Sequence, residues 1–203
     1  MTRLSSDDFR ALVTAMASAV ADNAERLTEL DRAIGDGDHG ANMQRGFDAV
    51  AADLDTLAAK PLPEALKAAG MKLVMTVGGA SGPLVGTFFM TLGKELPEEF
   101  DRAGFTEAFS KAVAAVAARG KSHQGQKTLL DVLFPMQAAL EDGKSVGEIA
   151  TIAGQAAEAT IPILATRGRA SFLGERSIGH MDPGAASVAL LASVAASMLE
   201  QQP

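Results

Sequence analysis

Apolar residues recur along this chain with the period of an α-helix. Phe9, Leu12, Val13, Met16 and Val20 fall at the i, i+3, i+4, i+7 spacing of one buried helical face. Ser5 and Asp8 form a capping-box pattern in front of it. The same reading predicts a second helix over about 42–59, a third over 63–77 and a fourth over 83–96. A fifth lies in "FTEAFSKAVAAVAARG", where Phe105, Phe109, Ala112 and Val116 share a face. A sixth starts near Thr128, whose pairing with Asp131 is a further capping-box pattern, and Pro135 kinks it or sits in its first turns. Ser145 with Glu148 caps a long seventh, ending near Thr166. An eighth opens at Pro183, a residue suited to the first helical position, and runs to the C-terminus. No segment alternates convincingly with period two. The expected fold is all-α: an eight-helix antiparallel up-and-down bundle, with residues 1–203 forming one domain.

The connections divide into two kinds. After helices two, four and six they are plain: "AAKPLP", "KELPEEFDRAG", "LEDGKS". After helices one, three, five and seven they are rich in glycine and polar residues: "GDGDHG", "VGGASG", "RGKSHQGQKT", "RGRASFLGERSIGHMDPG". Alternate connections of an up-and-down bundle lie at the same end. The four loaded loops are therefore expected to meet at one pole and form a site there.

Composition narrows the chemistry. The chain has no cysteine, which excludes disulfides, zinc–thiolate sites and thiol catalysis. Its polar, charged N-terminus "MTRLSSDDFR" does not resemble a signal peptide. Its apolar runs read as too short and interrupted to span a bilayer. A soluble cytoplasmic protein, with no membrane partner, is the expectation. A net charge of −7 disfavours nucleic acid, whose phosphates demand a basic surface, yet leaves room for one small phosphorylated ligand.

Asp31, Asp36 and Asp38 fall within eight residues, with Gly35, Gly37 and Gly40 around them. One such acid is ordinarily a helix cap or a solvated turn residue. Three in a flexible loop can turn carboxylates toward one point, a suitable donor set for magnesium, and without a cation they would repel one another strongly. "VGGASGP" directly precedes a helix, whose N-terminal N–H groups and Ser81 hydroxyl could meet an anion. It is not a Walker A loop, and taken singly a helix-to-helix turn explains it equally well. The last loop carries Arg167, Arg169 and Arg176 with His180 and Asp182, and arginine donates to phosphate in pairs of hydrogen bonds. Lys121 and Lys127 are weaker cationic candidates, and His39 and His123 read as hydrogen-bonding neighbours rather than bases. Together these groups suggest phosphoryl transfer or nucleotide binding, in which positioning and charge neutralisation carry most of the catalysis. The residues alone do not name the acceptor.

"LDRAIGDGDHGANMQRGF", "VGGASGPLVGTFF", "GKSHQGQKT" and "GRASFLGERSIGHMDPGAAS" resemble the L subunit of dihydroxyacetone kinase, its nucleotide-binding subunit, over essentially the whole chain. The resemblance implies an eight-helix antiparallel barrel with nucleotide at one end. It implies that Asp31, Asp36 and Asp38 hold two Mg2+ ions that bridge the phosphates of ADP or ATP. It puts His39, Gly40, Ala41, Asn42, Ala80 and Ser81 around the phosphates and nucleotide. Gly120 and Leu129 would border the nucleotide, with methionine at the latter place in related sequences. Arg169 would face the phosphates as the catalytic residue, and Asp182, Pro183 and Gly184 would close the pocket. One departure stands out: the family's G-D-K-T stretch reads "GQKT" here, with Gln126 in place of aspartate. The implied partners are a K subunit that binds dihydroxyacetone covalently and, in the phosphotransferase-linked form, a phosphohistidine carrier M subunit fed from phosphoenolpyruvate. A homodimer is left open. The alternatives are an L-type subunit of an ATP-consuming dihydroxyacetone or four-carbon sugar kinase, or a non-catalytic nucleotide-binding regulator.

Overall fold

The computed structural model describes residues 5–200 and is helical, with no strand among the described residues. In chain order the helices are α1 (Ser6–Asp22), α2 (Ala24–Ile34), α3 (His39–Ala52), α4 (Leu54–Ala58), α5 (Leu62–Thr76), α6 (Ser81–Glu95), α7 (Arg102–Gly120), α8 (Leu130–Glu141), α9 (Val146–Ala159) and α10 (Pro183–Glu200), with a 3-10 segment at Arg169–Ser177. The eight expected rods are all present, and the first two are broken. α1 and α2 form one rod interrupted at Asn23, whose side-chain amide donates to Ala19 O at 2.8 Å. A polar side chain that bonds the preceding turn competes with the helical ladder. α3 and α4 form the second rod, interrupted at Asp53.

Each rod packs on the next in sequence, and α10 packs on α1, so the ring closes. Consecutive neighbours joined by short connections must run antiparallel, which gives the up-and-down barrel. One apolar cluster joins α1, α3 and α5 through Phe9, Val20, Met43, Phe47 and Leu73. Another joins α7, α8 and α9 through Phe109, Val113, Leu130, Leu133 and Ala153. The Phe88 and Phe109 rings meet edge to face at 5.2 Å, linking α6 to α7.

Both serine capping boxes form as expected. Ser5 Oγ accepts from Asp8 N at 3.1 Å while Asp8 accepts from Ser5 N at 3.0 Å, and Ser145 with Glu148 repeats the exchange. The Thr128–Asp131 pattern forms by half: Asp131 Oδ2 accepts from Thr128 N at 2.7 Å, but the Thr128 hydroxyl accepts from Leu130 N instead of Asp131 N. Pro135 sits inside α8. Two boundaries differ. α3 begins at His39 rather than Asn42, and α9 stops at Ala159 rather than near Thr166. Pro162 explains the second: it has no N–H to continue the ladder, and a proline disfavours the helical region for the residue before it, Ile161. The reading of apolar runs needs correction too, because α10 has 18 residues of mean hydropathy 1.4 and by length and composition could cross a membrane. In the barrel it is a wall, packed on α9, α1, α2 and α8.

α5 and α6 cross in close backbone contact. A Cβ added at Gly70 would lie 2.6 Å from Met90 N and 2.7 Å from Gly86 O, so only bare backbone fits. Both contacts are main-chain atoms that cannot rotate away. Gly70→Ala is expected to lower stability by roughly 1–3 kcal/mol with helix content retained, seen as a lower urea midpoint. An unchanged midpoint would contradict this close approach.

Candidate functional site

The four polar loops meet at one pole, around a cleft of about 150 Å³. Its wall includes Asp31, Gly35 and Asp38 from the first loop, Gly79 and Ser81 from the second, Thr128 and Leu129 from the third, and Arg167, Arg169 and Asp182 from the last. A larger cavity, about 540 Å³, lies at the opposite pole, lined by Phe9, Pro61, Phe100 and neighbours. Among the described residues its titratable side chains are Lys60 and Glu98, and they do not converge with other polar groups as those of the first cleft do.

Asp31, on the last turn of α2, is buried, while Asp36 and Asp38 are exposed. Carboxylate oxygens of the three lie within 4.8 Å of one another. Asp31 Oδ2 accepts from the backbone N–H of Asp38 at 2.9 Å and of His39 at 3.2 Å, so its charge is held by donors at the start of α3. A Cβ at Gly35 would sit 2.0 Å from Asp31 Oδ1, which makes the glycine a condition of that carboxylate's placement.

His39 is 6% exposed and joins two distant elements. Its Nδ1 lies 3.0 Å from Ser81 Oγ and its Nε2 lies 2.7 Å from Ser187 Oγ. Ser187 donates its only proton to Pro183 O at 3.1 Å, so Nε2 must be the donor to Ser187. Burial pushes the His39 pKa down, against the charges of Asp31 and Asp38 that push it up. A neutral imidazole then accepts at Nδ1 from the Ser81 hydroxyl. Beside it Gly79, at φ +66, has open space where a side chain would stand. A ligand can therefore approach the backbone there closely.

Arg169 reaches across the cleft to Asp36 at 3.1 Å. Arg167 also lines the cleft, whereas Arg176 and His180 are exposed away from its wall. Lys121 is the left-handed C-cap of α7, and Lys127 is 1% exposed with its ammonium on backbone carbonyls. His123 is exposed, with Nδ1 on Gln124 O. Gln126 Oε1 accepts from His123 N at 3.0 Å, a bond that needs only a side-chain oxygen and no charge. Asp182 caps α10 by accepting from Ala185 N at 2.7 Å. Its pKa is raised to about 7, chiefly by burial, with the Asp131 and Asp31 charges adding to the rise and Ala185 N–H and Lys127 opposing it.

Ala80, Leu129, Pro183 and Gly184 also border the cleft. Gly40, Ala41, Asn42 and Gly120 do not form its wall. Gly40 is the contact of α3 with α2, where a Cβ would meet Ala24 O at 1.8 Å, and Ala41 faces solvent. Asn42 is buried behind Gly78, and Gly120 packs near Leu84, itself a wall residue. Sequence reasoning missed Ser187 and Thr160. Both are fully or nearly buried polar side chains, and their helical surroundings gave no signal beyond a hydroxyl among alanines.

The DAK2 domain family matches residues 33–197. The chain is 44% identical over 173 residues to "PEP-dependent dihydroxyacetone kinase 1, ADP-binding subunit DhaL" of Listeria innocua, covering 85% of this chain and 86% of that one. It is 43% identical over 175 residues to "PEP-dependent dihydroxyacetone kinase, ADP-binding subunit DhaL" of Escherichia coli, covering 81% and 83%. Among solved structures, the dihydroxyacetone kinase of C. freundii in complex with AMP-PNP and Mg2+ superposes with a TM-score of 0.76 at 25% identity. That match covers 93% of this chain and 33% of the longer kinase.

The raised Asp182 pKa sets a pH dependence. The folded state holds this proton more tightly than the unfolded chain, so its contribution to stability is present below pH 3.8 and is lost as pH rises toward about 7. Asp182→Asn keeps an acceptor for Ala185 N–H but cannot ionise. In metal-free buffer its melting temperature, relative to the parent protein, is expected to rise steadily across that window. A constant difference would contradict the buried, protonated carboxyl.

Proposed function

Because this chain belongs to the DAK2 domain family, among the ADP-binding L subunits of dihydroxyacetone kinase, we propose that it is the ADP-binding subunit of a phosphoenolpyruvate-dependent dihydroxyacetone kinase. Bound ADP would accept a phosphoryl group from a phosphohistidine carrier M subunit and pass it to dihydroxyacetone held by a K subunit. The observation that carries this reading is the cluster of Asp31, Asp36 and Asp38 at the pole, faced by Arg169, in a chain that matches named ADP-binding subunits over most of both lengths.

The donor set fits magnesium. Carboxylate oxygens are the hard ligands it takes, usually alongside substrate phosphates. We assign Asp31, Asp36 and Asp38 as ligands of two Mg2+ ions, which when bound neutralise the phosphate charge that transfer must accumulate. Asp31 is held rigid by two backbone N–H donors, whereas the exposed Asp36 and Asp38 are free to adjust to a ligand. Gly79, Ala80 and Ser81 line a helix N-terminus suited to phosphate oxygens, and Ser81 is oriented through His39. Arg169, now on Asp36, is placed to shift its guanidinium onto a transferred phosphoryl group as charge builds there. The cleft of about 150 Å³ has room for phosphates and cations, so the base would extend over its rim toward Leu129 and Gly184.

Partner docking has support at the same pole. Phe172 is 89% exposed on the 3-10 segment that carries Arg169. An exposed aromatic beside a reacting group is the kind of surface a protein partner covers. The whole of 1–203 acts in this reading as one nucleotide-binding domain, and we place it in the cytoplasm with the phosphoenolpyruvate-dependent kinase of which it would be a part.

The direct test is reconstitution with K and M subunits. Dihydroxyacetone phosphorylation should require this chain and phosphoenolpyruvate together, and activity with ATP alone at the same rate would refute the carrier-linked reading. Asp36→Asn removes a ligand charge but little volume. It is expected to weaken Mg2+-dependent ADP binding by about tenfold to a hundredfold while the circular dichroism spectrum is unchanged. Full ADP affinity in that variant, measured by calorimetry, would show the metal assignment to be wrong.

A further inference from the structure

Lys127 is the largest fully buried side chain in the described residues, and its ammonium touches no acid directly. Nζ donates to Thr160 O at 2.8 Å, Ile161 O at 3.2 Å and Ile163 O at 3.1 Å, so each of its three N–H bonds has a carbonyl. Those carbonyls lie just past the end of α9, where the i→i+4 ladder has stopped; Thr160 O also accepts from Ile163 N at 3.1 Å. Lys127 itself holds a left-handed backbone at φ +61. That conformation is uncommon for a residue with a side chain and persists only when its surroundings enforce it.

The same carbonyls form the neck of the loop that carries Arg169. Ile161 O also accepts from Gly179 N at 2.9 Å, and Thr160 Oγ1 accepts from Asp182 N at 3.0 Å, so the two roots of the loop are tied side by side. Thr166 N donates to Gln126 O next to Lys127. Inside the loop Ser177, fully buried, accepts from Ala165 N at 3.0 Å and donates to Gly174 O at 2.7 Å. Ala165 and Ala170 pack with Leu173 on Ile34, near the metal-binding acids. The segment is thus a compact Ω-type loop with its own small core, closed at the neck and aimed by Ile34.

We propose that Lys127 is a positioning residue, a cationic clamp on the neck of the 161–179 loop that holds Arg169 opposite Asp36, and that it is not a phosphate ligand. Thr160 is its partner in the clamp. This rests on the functional reading above for its consequence in nucleotide binding, but the clamp itself is a property of the free protein.

The test joins amide hydrogen exchange to calorimetry with MgADP. Lys127→Met keeps the length and removes the charge, which takes one donor from each of three carbonyls and leaves Thr160 O and Ile161 O with their backbone partners alone. The amides of Gly179 and Asp182 should exchange at least about tenfold faster than in the parent, in protein without nucleotide, while those of the barrel rods stay protected. ADP affinity should fall roughly tenfold, and by much less when Arg169→Ala is already present, because the two residues act through one loop. Unchanged exchange at Gly179 and Asp182 would overturn the clamp. So would a loss of affinity that is fully additive with Arg169→Ala, the behaviour of a direct phosphate contact. If Lys127→Met does not fold, Thr160→Val at the same neck must speed exchange at Gly179, and protection equal to the parent's would likewise overturn the proposal. A parent protein that binds no ADP would refute the functional reading, while the exchange comparison would still decide the clamp.

Discussion

Three carboxylates within 4.8 Å of one another repel, and the pole of this barrel is organised around that repulsion. Two backbone N–H groups at the start of α3 hold the buried Asp31, Arg169 answers Asp36 from across the cleft, and Asp38 remains open to solvent. The compensation is partial: among the described residues only Arg169 makes an ion pair with these acids, and the start of α3 adds the positive end of one helix. A site left net negative in this way favours a divalent cation, and a cation there brings phosphate with it. In the proposed function, the crowding that would weaken a purely structural loop becomes affinity for metal-bound phosphate.

The barrel makes such crowding tolerable by keeping it at one end. Rods that pack in sequence around a closed ring place every second connection at the same pole, and those four connections hold the chemistry. Rigid elements then carry the constraints inward. From Pro183 O through Ser187 and His39 to Ser81, a chain of hydrogen bonds fixes the imidazole tautomer and turns the Ser81 hydroxyl. Lys127 performs the corresponding task for the loop of Arg169, using a charge buried on carbonyls just past the end of α9. In both cases a buried polar group sets the geometry of a more exposed one.

Much of this was legible in the sequence. Helical periodicity predicts the eight rods because each buries one face, and the alternation of plain and loaded connections predicts that the loaded ones share a pole, as they do. The acids were legible because three carboxylates share one short loop. What stayed hidden was long-range: Ser187 lies 148 residues from His39, and nothing local marks its hydroxyl among the small residues of α10. Lys127 carried a misleading signal, since a lysine in a glycine-rich loop suggests a phosphate ligand, and only its burial shows that it faces carbonyls. The early end of α9 was readable from Pro162, had the proline been weighed above the apolar run around it. Gly40 and Gly120 show the opposite limit, for they sit in matching motifs yet serve helix contacts behind the cleft rather than its wall.

The central claim is that ADP is a resident cofactor at this pole and not a passing product. Purification without added nucleotide, followed by denaturation and chromatography of what is released, addresses it most directly. The account predicts about one ADP per chain, retained through dialysis against ATP, as expected of a ligand held by metal-bridged phosphates. A protein that releases no nucleotide, or that exchanges its ADP freely for ATP, would contradict it.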